Sequence, residues 1–190
     1  MTFTPGTASP HVLPPEPALR DAVTVLSHLA RDPGFLARRV LPHAEEAKRA
    51  EDWYVAYRHD GLASSCSLQV FVWPPGSQTK VHDHSSWGAF CCVVGSVLEE
   101  RYGRTDDGSL SDHARLKKLW QLKRRKEDGI STVLPHDGGI HRVGNPTGEP
   151  AITLHLYGPR LGEIDGRDFD PSRDYVCDRT EDRKVQRRSR

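Results

Sequence analysis

Apolar positions keep helical spacing only near the start of the chain. In "ALRDAVTVLSHLARD", Leu19, Val23, Leu26 and Ala30 recur on one face, which predicts an amphipathic helix. A second short helix is predicted within "GFLARRVLPH" or "AEEAKRAE", with Pro42 as the interruption. From about Trp53 the pattern changes to short apolar, β-branched runs: "WYVAYR", "CSLQVFVW", "FCCVVGSVLEERY", "HARLKKLWQL", "ISTVL", "HRVGN" and "AITLHLYG". Turn signals such as "PPGS", "DDGS", "EDG", "HDGG" and "NPTGEP" separate them. Many short strands at this spacing predict a mainly β sandwich or small antiparallel barrel, preceded by short helices. The expected organisation is a loose arm over 1–17, a helical segment packed on the core over 18–50, the barrel over 51–160, and a polar wrapping segment with a basic tail over 161–190.

Composition narrows the class. The chain has 190 residues, 36% hydrophobic and 28% charged, which suits one soluble domain. A formal charge of +1 gives no general pull toward nucleic acid or a membrane surface, so neither is expected as a partner. No cationic segment followed by an apolar run opens the chain, and no run approaches about 18 apolar residues. Adjacent Cys91 and Cys92 face opposite sides of a strand, and Cys66 and Cys177 add no CxxC pair. Reduced thiols and a cytoplasmic location are therefore expected.

Candidate chemistry begins at "KVHDHSSWG". Side chains two apart in a strand share a face, so His82 and His84 project together and Asp83 points away. Gly76 precedes the pair by five intervening residues, and Gly95 closes the following strand. A second block runs from Gly129 through Pro135 to His141 and Asn145. Together the two blocks resemble the two motifs of the cupin superfamily, which implies a small antiparallel, jelly-roll-like β-barrel with a metal site. Gly88 and Ala89 stand where an acidic residue follows HxH in that pattern, and one extra residue separates Pro135 from His141. The expected ligand set is thus His82, His84 and His141, all neutral. Such a trio leaves an ion its full charge and favours anionic ligands such as a thiolate. Zinc is equally compatible with three histidines.

In "AITLHLYGP", Thr153, His155 and Tyr157 alternate on one face. A hydroxyl, an imidazole and a phenol in a row form a proton relay, or an inward polar ladder without chemistry. Taken with "VHDHSSWG" and "GGIHRVGNP", this strand is similar to the cysteine dioxygenase family of thiol dioxygenases over roughly Trp53 to Pro159. The resemblance implies mononuclear non-haem Fe(II), three histidine ligands, a relay with Thr153 in the place of serine, and insertion of both atoms of O₂ into a small thiol to give a sulfinic acid. It implies that Tyr157 contacts substrate or oxygen, with His155 fixing the phenol and Thr153 fixing His155. The cysteine that mammalian members cross-link to the tyrosine falls on Gly88, so no thioether is expected.

Substrate choice rests on a carboxylate partner. A gapless count from His82 puts the family's arginine or glutamine on Ala56, which does neither job. Arg58, Arg160 and Arg167 are the candidates to clamp the carboxylate of cysteine, 3-mercaptopropionate or another small thiol acid. Trp87 is expected in the core, and Cys92 shares the parity of His84. A monomer or weak oligomer is expected. Two other classes keep the trio: a zinc or manganese cupin isomerase or hydrolase, and a non-catalytic small-ligand sensor.

Overall fold

The apolar stripe at the start of the chain folds as α1 (Glu16–Leu29), with Ala22 and Leu26 buried, in a computed structural model that describes residues 16–62, 66–159 and 165–179. The Asp32 carboxylate accepts from the N–H groups of Gly34 and Phe35 at 2.8 and 3.2 Å and starts α2 (Pro33–Arg39). Pro42 separates it from α3 (Ala44–Ala47), so both candidate segments are helical. The loose arm and the basic tail lie outside the described residues, apart from the start of α1.

Eleven described strands follow: β1 (Tyr54–Leu62), β2 (Cys66–Trp73), β3 (Val81–His82), β4 (Gly88–Val94), β5 (Ser96–Arg104), β6 (Leu116–Arg125), β7 (Ser131–Val133), β8 (His141–Gly144), β9 (Ala151–Tyr157), β10 (Gly166–Asp170) and β11 (Tyr175–Arg179). They form two sheets, ordered β1-β2-β9-β4-β7 and β11-β10-β3-β8-β5-β6, with antiparallel pairing. The antiparallel, jelly-roll-like double sheet with short N-terminal helices expected from the sequence is the one the chain adopts.

Strand alternation divides the apolar side chains between layers. Phe71, Trp73, Phe90 and Ala151 of the first sheet meet Val97 and Val143 of the second inside the barrel. The first sheet's opposite face, with Leu68, Val70, Cys91 and Leu154, is covered by Ala22 and Leu26 of α1 and by Val40. Val81, Ile140, Phe169 and Val176 gather in a third cluster.

One expectation is corrected. The segment after Pro159 was expected as wrapping loop, yet Gly166–Asp170 and Tyr175–Arg179 are strands. Asp168 and Phe169 pair with His82 and Val81, so β10 completes the sheet beside the histidine strand. Its apolar alternation is carried by Phe169 alone, too sparse a pattern to mark a strand.

Candidate metal centre

His82 on β3 stands directly opposite His141 on β8, so the two imidazoles share the inner face. His84 follows two residues on. Each offers a ligand nitrogen, and these nitrogens lie within 4.8 Å of one another. The Nε2 atoms of His84 and His141 approach to 3.2 Å, and all three rings are buried. Two such nitrogens cannot hydrogen-bond unless one carries a proton, whereas two lone pairs aimed at one point are what a divalent ion needs. The donor set therefore fits a single metal ion held by His82, His84 and His141.

Neighbours aim the rings. His82 Nδ1 lies 2.9 Å from the Lys80 carbonyl; an N–H donated there leaves Nε2 for an ion. His141 Nδ1 faces Glu99 Oε1 at 3.6 Å. Glu99 is fully buried on β5, and its carboxylate accepts from Arg101 Nε at 2.8 Å, Arg124 Nε at 2.9 Å and the Ser131 hydroxyl at 2.8 and 3.0 Å. Burial pushes this carboxyl up, but the His141 imidazole, Arg101 and Ser131 outweigh it and hold it at about 2. The cupin acid missing after HxH thus has a distant counterpart, standing behind a ligand. The pair Glu99-Glu100 carried the signal: of two adjacent acids in a strand whose two faces are both covered, one must point inward.

Asp83, between the ligands in sequence, does point away from them. It is buried, and its carboxylate takes the Arg167 backbone N–H at 2.6 Å and guanidinium Nε at 2.8 Å. Arg167 also reaches Asp137 at 2.6 Å, in the turn His136–Gly139 that leads into His141. The His136 N–H donates to the His84 carbonyl at 2.8 Å. Both ligand-bearing segments are therefore tied together behind the site. Nε and Nη2 of Arg167 are thus engaged by Asp83 and Asp137.

β9 brings a hydrogen-bonded ladder to the same trio. Thr153 Oγ1 lies 2.7 Å from His155 Nε2, and His155 Nδ1 lies 3.1 Å from the Tyr157 hydroxyl. Phe71 and Phe90 flank the His155 ring at 4.2 and 5.0 Å between centroids and fix its plane. The Tyr157 ring lies 5.0 Å from that of His84, so the ladder ends at the trio. Cys92 stands opposite Thr153 on the inner face, with its thiol pushed up by burial to about 12 and bonded to the Val94 carbonyl at 3.2 Å. Trp87 is core, as expected: a Cβ on Gly158 would come within 2.2 Å of its indole.

Gly88 admits the Tyr157 ring. A Cβ there would lie 3.0 and 3.1 Å from two ring carbons and 2.9 Å from Val133 Cγ2. Gly88→Ala is expected to lower folding stability by about 1–3 kcal/mol through overpacking. Urea unfolding checks this, and an unchanged midpoint would show that the phenol yields freely.

The remaining candidates divide. Arg58 stands opposite Gln69, which stands opposite His155, so it belongs to the ladder's row. It is exposed at the barrel's rim, with Nε on the Asp60 carboxylate at 2.8 Å. The register of β1 shifts between Val55 and Tyr57, which makes Ala56 the extra residue and turns it onto the helical layer. Arg160 lies outside the described residues. All four cysteines are unpaired, and among the described residues no helix is long and apolar enough to cross a membrane.

Comparison with known proteins gives a family match. The profile described as cysteine dioxygenase type I matches residues 48–171. A curated relative from Danio rerio, cysteine dioxygenase type 1, is 29% identical over 94 residues, covering 49% of this chain and 45% of that one; the alignment thus spans less than half of the relative's length. Among solved structures, a Thermus thermophilus protein is 19% identical with a TM-score of 0.41, covering 68% of this chain and 96% of its own. A cupin 2 conserved barrel domain protein from Salinispora arenicola is 16% identical with a TM-score of 0.38, covering 55% and 76%.

Proposed function

The chain belongs to the cysteine dioxygenase type I family, and from that premise we propose that it is a mononuclear non-haem iron thiol dioxygenase. Its reaction combines a small thiol carboxylate, cysteine or a 3-mercaptopropionate-like acid, with O₂ to give the sulfinic acid. O₂ is the oxidant and supplies both added oxygens, so no external reductant is consumed. The single observation that carries this reading is the convergence of a buried trio of histidines with the Tyr157 end of a hydrogen-bonded ladder. The four unpaired thiols support a reducing, cytoplasmic setting.

His82, His84 and His141 would hold Fe(II), which when bound supplies the place where thiolate sulfur and O₂ meet and exchange electrons. The protein does the rest. Tyr157 presents its hydroxyl to the substrate carboxylate or to dioxygen, held there by His155, which Thr153 steadies in turn. Phe71, Phe90 and Trp73 keep water from the inner face of β9. Arg58 is the carboxylate partner this reading favours, exchanging Asp60 for the substrate, and Arg160 is the second candidate.

Oxygen uptake by the Fe(II)-loaded protein, with sulfinate measured alongside, tests the proposal. Cysteine, 3-mercaptopropionate and cysteamine form the panel, and a carboxylated thiol is expected to give coupled turnover while cysteamine gives little. Uptake with none of them would overturn the assignment. Tyr157→Phe is expected to keep iron bound while slowing sulfinate formation about 100-fold or uncoupling it from oxygen consumption. Full coupled turnover by that variant would remove Tyr157 from the chemistry.

A further inference from the structure

The ladder does not begin at Thr153. Trp73, fully buried on β2, places its indole Nε1 2.8 Å from Thr153 Oγ1. An indole N–H can only donate, so Thr153 must accept it. The threonine hydroxyl then has its own proton to place. It is completely buried, and among the described residues its other side-chain partner is His155 Nε2 at 2.7 Å. From these facts we infer that Trp73 is a positioning residue that fixes the direction of every hydrogen bond in the ladder. The inference deepens the proposed dioxygenase function and rests on it for its catalytic meaning, but the bond directions stand on the geometry alone.

The polarity follows step by step. Thr153 donates to His155 Nε2, which must therefore be unprotonated. A neutral His155 then carries its proton on Nδ1 and donates it to the Tyr157 oxygen at 3.1 Å. The opposite direction would have Tyr157 donate to Nδ1 and Nε2–H donate to Thr153. Thr153 would then receive two donors, and its own buried proton would have no acceptor, an arrangement folded proteins avoid. A doubly protonated His155 fails for the same reason.

The consequence lies at Tyr157. With Nδ1–H already pointing at its oxygen, the phenol cannot pass its proton back to His155. It directs that proton away from β9, as a hydrogen-bond donor, and any negative charge developing on its oxygen is met by the His155 N–H. The ladder is thus not a two-way relay but a polarised arm whose direction is set by a side chain one strand away. The stacking of Trp73 against Phe71 and Trp53, each 5.8 Å between centroids, holds the indole in the orientation this requires.

Histidine ¹⁵N chemical shifts read the tautomer directly, in metal-free and zinc-loaded protein, and so need neither iron nor thiol turnover. The wild type is expected to show His155 protonated at Nδ1 and bare at Nε2. Trp73→Phe keeps a buried ring but removes the N–H, and is expected to raise the Nε2-protonated form at least several-fold. Thr153→Val, which removes the hydroxyl at constant shape, is expected to do the same and covers the case in which Trp73→Phe fails to fold. An Nε2–H or doubly protonated His155 in the wild type would overturn the inference. So would a tautomer that both variants leave unchanged. Neither outcome bears on whether the loaded enzyme oxidises thiols, so the two proposals fail separately.

Discussion

Glu99→Gln is expected to cost about 3–5 kcal/mol of folding stability and to weaken divalent-metal binding about 10–100-fold. Glutamine keeps the volume of the side chain, so no cavity contributes. What is lost is the charge that Arg101 and Arg124 share from two strands, together with one of the two acceptor oxygens, which leaves Arg101, Arg124, Ser131 and His141 Nδ1 to compete for the other. Both guanidiniums remain in place, since each also lies against the Trp120 ring, at 5.5 and 5.8 Å, and Ser131 keeps both near. Two cations would then share a buried site without a counter-charge. Denaturant unfolding of the metal-free protein reads the first effect, and chelator competition reads the second. Unchanged metal affinity in a destabilised variant would reduce Glu99 to a structural ion and detach it from the centre.

His141→Ala is expected to lower metal affinity by about 10²–10³-fold, the share of one ligand in the roughly 10–16 kcal/mol that a complete set supplies. Turnover should fall below detection. The fold should survive, because Glu99 keeps Arg101, Arg124 and Ser131 as partners and because the β8 pairing with β5 is made by backbone. The vacated space lies between two remaining imidazoles, so added free imidazole should restore part of the affinity. Isothermal titration with zinc, with and without imidazole, measures both statements. Wild-type affinity in this variant would dissolve the trio.

Strand parity made the centre legible. His82 and His84, and Thr153, His155 and Tyr157, each needed only the alternation of side chains to be put on one face, and the structure brings the two groups together where Tyr157 meets His84. Parity says nothing about what lies across a sheet. Arg167 has the right chemistry for a carboxylate, and residue type alone could not reveal that Asp83 and Asp137 would claim it. The gapless count that ended on Ala56 ran into a bulge that rotates one residue out of register, so Ala56 and Arg58, two apart, do not share a face of β1. Glu99 was overlooked because adjacent Glu99 and Glu100 signal only that one of them faces inward; the pairing of β5 with β8 decides which ligand it meets. Trp73 was passed over as bulk, since a donor-only group acquires meaning only when its acceptor is known.

The clamp of Asp83, Arg167 and Asp137 braces both histidine-bearing segments through bonds that involve none of the three imidazoles. A socket braced from behind has little freedom to reshape itself around a particular occupant. It ranks divalent ions by their inherent appetite for nitrogen, which climbs from manganese through iron to copper. The iron of the proposed reaction sits low on that scale, so protein harvested from zinc-rich medium is expected to carry zinc until it is stripped and reloaded.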